Sequence, residues 1–135
     1  MNLKRVQSKA EISRFEQFMK FVEDSLNSAD VPQKTIFSLM TVCEEIIVNI
    51  INYAYTDESG DLEIDFESDG QSVRFSFKDH GLPFNPLEKS EVDTNLQAHE
   101  RDIGGLGIHM MKSMTDRVSY EYENGENILI VEKRL

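Results

Sequence analysis

The chain has 135 residues, with 25 Asp and Glu against 14 Lys and Arg, so its formal net charge is −11 at pH 7. Its length fits one domain over residues 1–135, and its composition is that of a globular protein rather than a disordered one. The acidic balance argues against general nucleic-acid binding, and no apolar run approaches the ~20 residues of a membrane span. The polar N-terminus and the single cysteine, Cys43, predict a cytoplasmic protein without an internal disulfide.

The N-terminal third predicts a short strand and two helices. Residues 2–6 are predicted as the strand, and Ser8-Lys9-Ala10-Glu11 has the form of a capping box that opens the first helix. Apolar residues then recur every three or four positions, which predicts one buried stripe: Ile12, Phe15, Met19, Val22 and Leu26. The second helix is predicted from about Asp30 to about Tyr55, with Pro32 in its first turn, where the missing N–H costs nothing.

Two strands joined by a tight turn follow these helices. Apolar and polar residues alternate over 61–67 and 72–78, and the intervening Asp69-Gly70 predicts a two-residue hairpin turn. That turn sets a register with apolar pairs on the inner face and charged pairs on the outer face. The predicted pairs are Phe66–Val73, Ile64–Phe75, Asp65–Arg74 and Asp61–Lys78.

The C-terminal half predicts a long loop, a short helix and a second hairpin. Residues 79–103 are polar and lack periodicity, which is typical of a functional lid or a disordered segment. A helix with Ile108, Met111 and Met114 follows, and then strands at 117–123 and 127–134 flank Asn124-Gly125. The last strand is apolar on both faces, so we expect it to be central in the sheet. This order predicts an α+β fold, a two-layer sandwich with helices on one face of a largely antiparallel sheet.

The negative charge is concentrated in the middle of the chain. Between Lys34 and Arg74 there is no Lys or Arg, whereas nine carboxylates lie there: Glu44, Glu45, Asp57, Glu58, Asp61, Glu63, Asp65, Glu67 and Asp69. This region is therefore predicted to hold either a cation site or a solvated acidic face.

The second helix contains two polar residues in an almost wholly apolar run. Glu45 and Asn49 are four residues apart, so they share one face of the helix. A buried carboxylate and amide are costly unless a polar partner faces them, and both are oxygen donors suited to magnesium. The alternative is that Glu45 points to solvent and Asn49 bonds a neighbouring backbone group.

Two further motifs have both a structural and a functional interpretation. Asp79-His80-Gly81 follows a strand, where Asp and Gly usually form only a turn, although a buried Asp could accept a hydrogen bond from a ligand amino group. Gly104-Gly105-Leu106-Gly107 opens a helix, so its backbone amides could bind an anion. It is neither a Rossmann fingerprint nor a P-loop, because no strand precedes it and no Lys-Ser/Thr follows.

Taken in order, these motifs resemble the N, G1 and G2 boxes of the GHKL (histidine-kinase-like) ATPase superfamily. The run from Glu45 to Tyr55 looks most like that of the anti-sigma-factor serine kinases of the RsbW and SpoIIAB type. The resemblance covers about residues 32–135 and implies a Bergerat-type ATP-binding sandwich with a mainly antiparallel mixed sheet.

The resemblance also implies roles for individual residues. Glu45 would be the general base, and Asn49 would coordinate Mg²⁺ on the phosphates of ATP. The adenine and phosphate contacts would come from a further set, with residues 88–103 as the mobile lid: Asn52, Asp79, Gly81, Phe84, Gly104, Gly105, Leu106, Gly107 and Asn127. Asp79 would accept from the adenine 6-amino group with Gly81 beneath the ring, and Gly105 and Gly107 with neighbouring amides would hold the phosphates.

Family resemblance further implies a homodimeric kinase that phosphorylates a STAS-type antagonist protein or binds a sigma factor; composition and charge predict no direct contact with nucleic acid or membrane. Two positions depart from the family pattern: Tyr53 stands where His is frequent, and Asn127 stands near the usual Thr. Three alternatives stay open: a non-catalytic nucleotide-responsive adaptor, a detached histidine-kinase catalytic domain, and an unrelated α+β domain.

Overall fold

The computed structural model describes residues 2–56, 59–88 and 107–135, which form five strands and three α-helices. The strands are β1 (Asn2–Lys9), β2 (Asp61–Ser68), β3 (Ser72–Asp79), β4 (Arg117–Glu123) and β5 (Glu126–Arg134). The helices are α1 (Phe15–Ser28), α2 (Gln33–Tyr53) and α3 (Gly107–Met114), with short 3₁₀ turns at Ile12–Arg14 and Pro86–Glu88.

The strands form a single sheet in the order β1-β2-β3-β5-β4, covered by helices on one face. This confirms the predicted α+β sandwich and the central place of the last strand. All four described pairings are antiparallel, so this part of the chain contains no parallel pair, although a mixed sheet was expected. β1 crosses to β2 through the two helices, and its full length of eight residues exceeds the predicted 2–6.

The register predicted for the first hairpin is wrong by two residues. The pairs observed are Phe66–Phe75, Ile64–Phe77, Glu63–Lys78 and Glu67–Arg74. The central residues of the turn are Gly70 and Gln71, because the Asp69 carboxylate accepts the N–H groups of Gln71 and Ser72 at 2.9 and 2.8 Å. Gly70 has φ +89°, as the first central residue of a type II′ turn requires. A shift of two leaves every side chain on its predicted face.

The second hairpin has the predicted turn. Asn124 and Gly125 have φ values of +54° and +80°, the left-handed pair of a type I′ turn. The register places Tyr122 opposite Asn127 and Tyr120 opposite Leu129. Tyr120 and Asn127 therefore lie on the same, helix-covered face of the sheet.

The predicted start of the first helix is wrong. Ser8 is a strand residue paired with Leu62, so Ser8–Glu11 is not a capping box, and the helix begins later, at Phe15. Ile12 is 72% exposed, whereas Phe18, which lies outside the predicted stripe, is fully buried. Strand pairing along the whole of β1 accounts for the difference, since it holds residues 8 and 9 extended.

Helix α2 forms the centre of the core. Its buried residues include Ile46, Ile47 and Cys43, and burial raises the pKa of the Cys43 thiol. With a mean hydropathy of 1.4, α2 is long and apolar enough to cross a membrane by composition alone. Here its apolar residues pack against α1, α3 and the sheet, which accounts for that hydropathy.

The outer face of the sheet carries rows of opposite charge on neighbouring strands. Arg5 on β1 donates two hydrogen bonds to the Asp65 carboxylate, at 2.6 and 3.0 Å, and Lys78 on β3 donates a third at 3.3 Å. Lys78 also lies 3.4 Å from Glu63, and Lys9 lies 3.5 Å from Asp61. Much of the acidic stretch is therefore the solvated, cation-paired face of a sheet.

Candidate active site on the helix-covered face

A small cavity lies between α2 and the helix-covered face of the sheet, at the end of β3. Its volume is about 20 Å³, enough for one water molecule. The described residues that line it include no Lys or Arg: Ile46, Asn49, Ile50, Phe77, Asp79, Phe84, Pro86, Tyr120, Asn127 and Leu129. The structure thus brings together Asn49, Asp79, Phe84 and Asn127, four of the residues predicted from sequence.

Asn49 presents an unsatisfied acceptor in this region. The residue is 7% exposed, and its Oδ1 atom is buried without a hydrogen-bond partner in the described structure. A buried amide oxygen in that state costs roughly 1–3 kcal/mol, which a bound cation or donor would recover. The alternative prediction, that Asn49 bonds a neighbouring backbone group, gains no support from this oxygen.

The two other predicted site residues of α2, Glu45 and Asn52, differ from Asn49 in burial. Glu45 is half-buried, one turn before Asn49 on the same side of the helix. Asn52, one turn after Asn49, is exposed and does not line the cavity. Glu45 is not among the residues that line the cavity, and its half-buried side chain retains some contact with solvent.

Asp79 is the last residue of β3 and is 3% exposed. Its Oδ1 atom accepts the Gly81 N–H at 2.8 Å and the Asn127 Nδ2–H at 3.0 Å. At Gly81 a β-carbon would lie 2.1 Å from the carbonyl oxygen of Ala54, so only glycine fits beside the end of α2. The Asp-x-Gly segment is therefore both a turn and a buried carboxylate at the cavity.

The side chain of Asn127, on strand β5, holds the segment that follows Asp79 in place. Its Nδ2 group donates to Asp79 and to the carbonyl oxygens of Gly81 and Leu82, at 3.0, 3.3 and 2.9 Å. Its Oδ1 atom accepts the Phe84 N–H at 3.1 Å and the Tyr120 hydroxyl. The side-chain amide is fully used, so Asn127 acts here by holding the turn in place.

Two tyrosines that the sequence analysis did not select also belong to this region. Tyr120 lines the cavity, and the register set by Asn124-Gly125 already places it on the face of Asn127. The Tyr55 hydroxyl donates to the Asp61 carbonyl at 2.6 Å and accepts the His80 N–H at 2.8 Å. No local pattern marks Tyr55, because both of these bonds depend on the tertiary arrangement.

Part of the predicted phosphate site lies outside the described residues. Gly104, Gly105 and Leu106 fall there with almost all of the predicted lid, while Gly107 begins helix α3. In the described part of the chain, no three His, Cys, Asp or Glu side chains cluster as a metal site would require.

A larger groove of about 390 Å³ lies on the outer face of the sheet, near Lys9, Lys78 and His80. Its two lysines have acidic partners, since Lys9 pairs with Asp61 and Lys78 with Glu63, and His80 lies 3.6 Å from Glu126. Both lysines of this groove are therefore already paired with acidic side chains, and the smaller cavity is the better candidate site.

Comparison with known proteins identifies the family. The histidine kinase-like ATPase domain matches residues 8–133, and no curated protein matches the chain. A solved structure of the RsbU and RsbW domains of Rv1364c from Mycobacterium tuberculosis is similar in fold, with a TM-score of 0.70 and 13% identity. It is matched over 100% of this chain and 32% of its own, so the chain spans about a third of that structure's length. This chain belongs to the histidine kinase-like ATPase family.

Proposed function

We propose that this protein binds ATP with Mg²⁺ and transfers the γ-phosphoryl group to a Ser or Thr of a STAS-type antagonist protein, or sequesters a sigma factor, in a cytoplasmic partner-switching circuit. The family match and the likeness to a structure that contains an RsbW domain support the general class. The observation that carries the proposal is the buried, unpartnered Asn49 oxygen beside the buried Asp79 carboxylate.

The adenine end of the site would be formed by Asp79 and its turn. A buried carboxylate suits the exocyclic amino group of adenine, and the absence of a side chain at Gly81 permits close approach of the base. The apolar cavity walls, among them Phe77 and Phe84, would cover the ring faces. Since the cavity holds about one water, entry of the base requires these walls to separate.

The residues present fit a hard divalent cation at Asn49. Its free amide oxygen is a ligand that Mg²⁺ accepts, and Mg²⁺ is usually held by few protein groups together with substrate phosphates. A bound Mg²⁺ would neutralise phosphate charge, which no Lys or Arg among the described lining residues does. We extend the phosphate site to Asn52 and to Gly104, Gly105, Leu106 and Gly107 at the start of α3.

Glu45 would act as the general base. Its carboxylate would take the proton of the Ser or Thr hydroxyl as that oxygen forms a bond to the γ-phosphorus, while the bond from phosphorus to the β,γ-bridging oxygen breaks and ADP leaves. The half-exposed position of Glu45, one turn from Asn49, suits a hydroxyl that arrives on a protein from solvent. We also expect the working unit to be a homodimer.

Phosphoryl transfer tests the role of Glu45. With radiolabelled ATP, Mg²⁺ and a STAS protein, Glu45→Gln should lower the rate about 10²-fold or more while ATP affinity stays within twofold. Glu44→Gln is the matched control, because Glu44 is the adjacent carboxylate and is exposed. Equal rates for both variants would show that Glu45 is not the base.

Metal dependence tests the role of Asn49. ATP affinity measured by calorimetry should fall at least tenfold when EDTA replaces Mg²⁺, and Asn49→Ala should lose most of that difference. ATP affinity that is the same with Mg²⁺ and with EDTA would contradict the assignment.

A second candidate function is a non-catalytic, nucleotide-responsive anti-sigma or adaptor module. Asn127 stands in place of the usual Thr, and its side-chain amide already makes hydrogen bonds within the protein. It holds the turn instead of offering a free hydroxyl to a ligand, which favours this second function. Nucleotide binding without transfer to any STAS protein would support this function over the kinase.

A further inference from the structure

Tyr55 connects three separate parts of the candidate site through one hydroxyl group. It lies two residues beyond α2, the helix of Glu45 and Asn49. Its hydroxyl donates to the Asp61 carbonyl at the start of β2 and accepts the His80 N–H at the end of β3, at 2.6 and 2.8 Å. His80 lies between Asp79 and Gly81, so this bond fixes the backbone at the centre of the turn.

The backbone beside Tyr55 holds the other side of the same turn. The Ala54 carbonyl accepts the Leu82 N–H at 3.2 Å, and it would lie 2.1 Å from a β-carbon at Gly81. Consecutive residues of the helix end, Ala54 and Tyr55, thus bind on either side of Gly81. A movement of α2 along its axis would therefore be transmitted directly to the Asp79 turn.

The Tyr55 ring packs closely against Gly60. A β-carbon at Gly60 would lie 2.1 Å from the Tyr55 ring, so the residue at position 60 must be glycine while the ring occupies this place. Gly60 is itself held by the Ala10 N–H, which donates to its carbonyl at 2.8 Å. Burial raises the pKa of Tyr55, so its hydroxyl keeps the proton that it donates to Asp61.

We propose that Tyr55 is a positioning residue for base recognition: its hydroxyl bond to the His80 N–H sets the direction of the Asp79 carboxylate relative to α2. This inference rests on the proposed function, since it assigns the means by which that same site distinguishes adenine from other bases. Tyr55 does not itself touch the base; it acts through the backbone that follows Asp79, at His80.

The test compares Tyr55→Phe with wild type in calorimetric titrations of Mg-ATP and of Mg-inosine triphosphate, which carries a carbonyl in place of the 6-amino group. Loss of the hydroxyl should weaken ATP binding about tenfold and leave inosine triphosphate affinity within twofold, so the preference for adenine collapses. Tyr53→Phe is the matched control, because Tyr53 is two residues away and 37% exposed; it should keep the wild-type preference.

A purely structural role would give a different result. If Tyr55→Phe weakened both nucleotides by the same factor, or left the preference for ATP unchanged, the positioning role would be overturned. Gly60→Ala, which displaces the ring while keeping the hydroxyl, should reproduce the loss of preference and serves if Tyr55→Phe does not fold. Failure of the wild-type protein to bind either nucleotide would instead overturn the proposed function, and this inference with it.

Discussion

Asp65 and Asp79 are two buried carboxylates on neighbouring strands, and their surroundings differ in kind. Asp65 is 7% exposed on the outer face of the sheet and is bound by the cationic groups of Arg5 and Lys78. Asp79 is 3% exposed on the helix-covered face, and the donors described for it are the neutral Gly81 N–H and Asn127 amide. The cations bound to Asp65 hold two neighbouring strands to the strand of Asp65, whereas Asp79 lines the cavity together with Asn49, and the proposed function assigns Asp79 to a ligand.

The largest expected change in the free energy of unfolding distinguishes Asp65 from Asp79. Asp65→Asn should lower the free energy of unfolding by about 1.5–3 kcal/mol, because it removes charge-assisted bonds to two cations. Asp79→Asn should cost less than Asp65→Asn, since the Gly81 N–H and the Asn127 amide both bind Oδ1, and an amide oxygen can accept both of these bonds. Urea unfolding of the two variants measures this difference, and an equal cost for both would break the comparison.

The pH dependence of the free energy of unfolding should follow the titration of Asp65, the buried acid on the outer face of the sheet. Burial raises the pKa of Asp65, but hydrogen bonds from Arg5 and the charge of Lys78 outweigh it, so the pKa lies below its ordinary value. A lowered pKa in the folded state adds stability that is present above the unfolded value, about 3.9, and is lost as pH falls through the folded value.

The advantage of wild type over Asp65→Asn should therefore be constant near neutrality and shrink below about pH 4. Unfolding curves of both proteins between pH 3 and 7 measure it. An advantage that grew on acidification would contradict the assigned sign.

The smallest expected effect comes from an exposed pair on the same face. Lys9 and Asp61 lie 3.5 Å apart with side chains 52% and 37% exposed, so solvent screens their attraction. Lys9→Gln should change the free energy of unfolding by less than about 0.5 kcal/mol. If Lys9→Gln lowered the free energy of unfolding as much as Asp65→Asn does, the geometry of an ion pair rather than its burial would determine its contribution to stability.

Patterns of periodicity predicted most of the fold. Alternation placed every side chain of β2 and β3 on its correct face, and Asn124-Gly125 set the second hairpin because its turn type needs two left-handed residues. The first hairpin shifted because the Asp69 side chain binds the backbone of Gln71 and Ser72, a local bond that the Asp-Gly pair does not reveal. Ser8 does not cap a helix, because it pairs with Leu62 in the sheet and this pairing outweighs the capping-box sequence.

The site was predictable where residue chemistry is unusual for its place, and not where tertiary contacts define it. Asn49 is a polar residue in an apolar helix segment, a contrast visible along the chain, whereas Asp79 is marked by the strand before it and by Gly81 after it. The Asn127–Asp79 and Tyr55–His80 bonds join residues 48 and 25 positions apart, so no short sequence window contains both partners of either bond.

Adenine-nucleotide binding by the two acid variants tests the central claim most directly. In calorimetric titrations with Mg-ATP, wild type and Asp65→Asn should bind with affinities within about threefold of each other, whereas Asp79→Asn should bind about 10- to 150-fold more weakly, because it alters the carboxylate proposed to accept the adenine amino group. Equal ATP binding by Asp79→Asn and wild type would contradict the assignment of the helix-covered cavity as the nucleotide site.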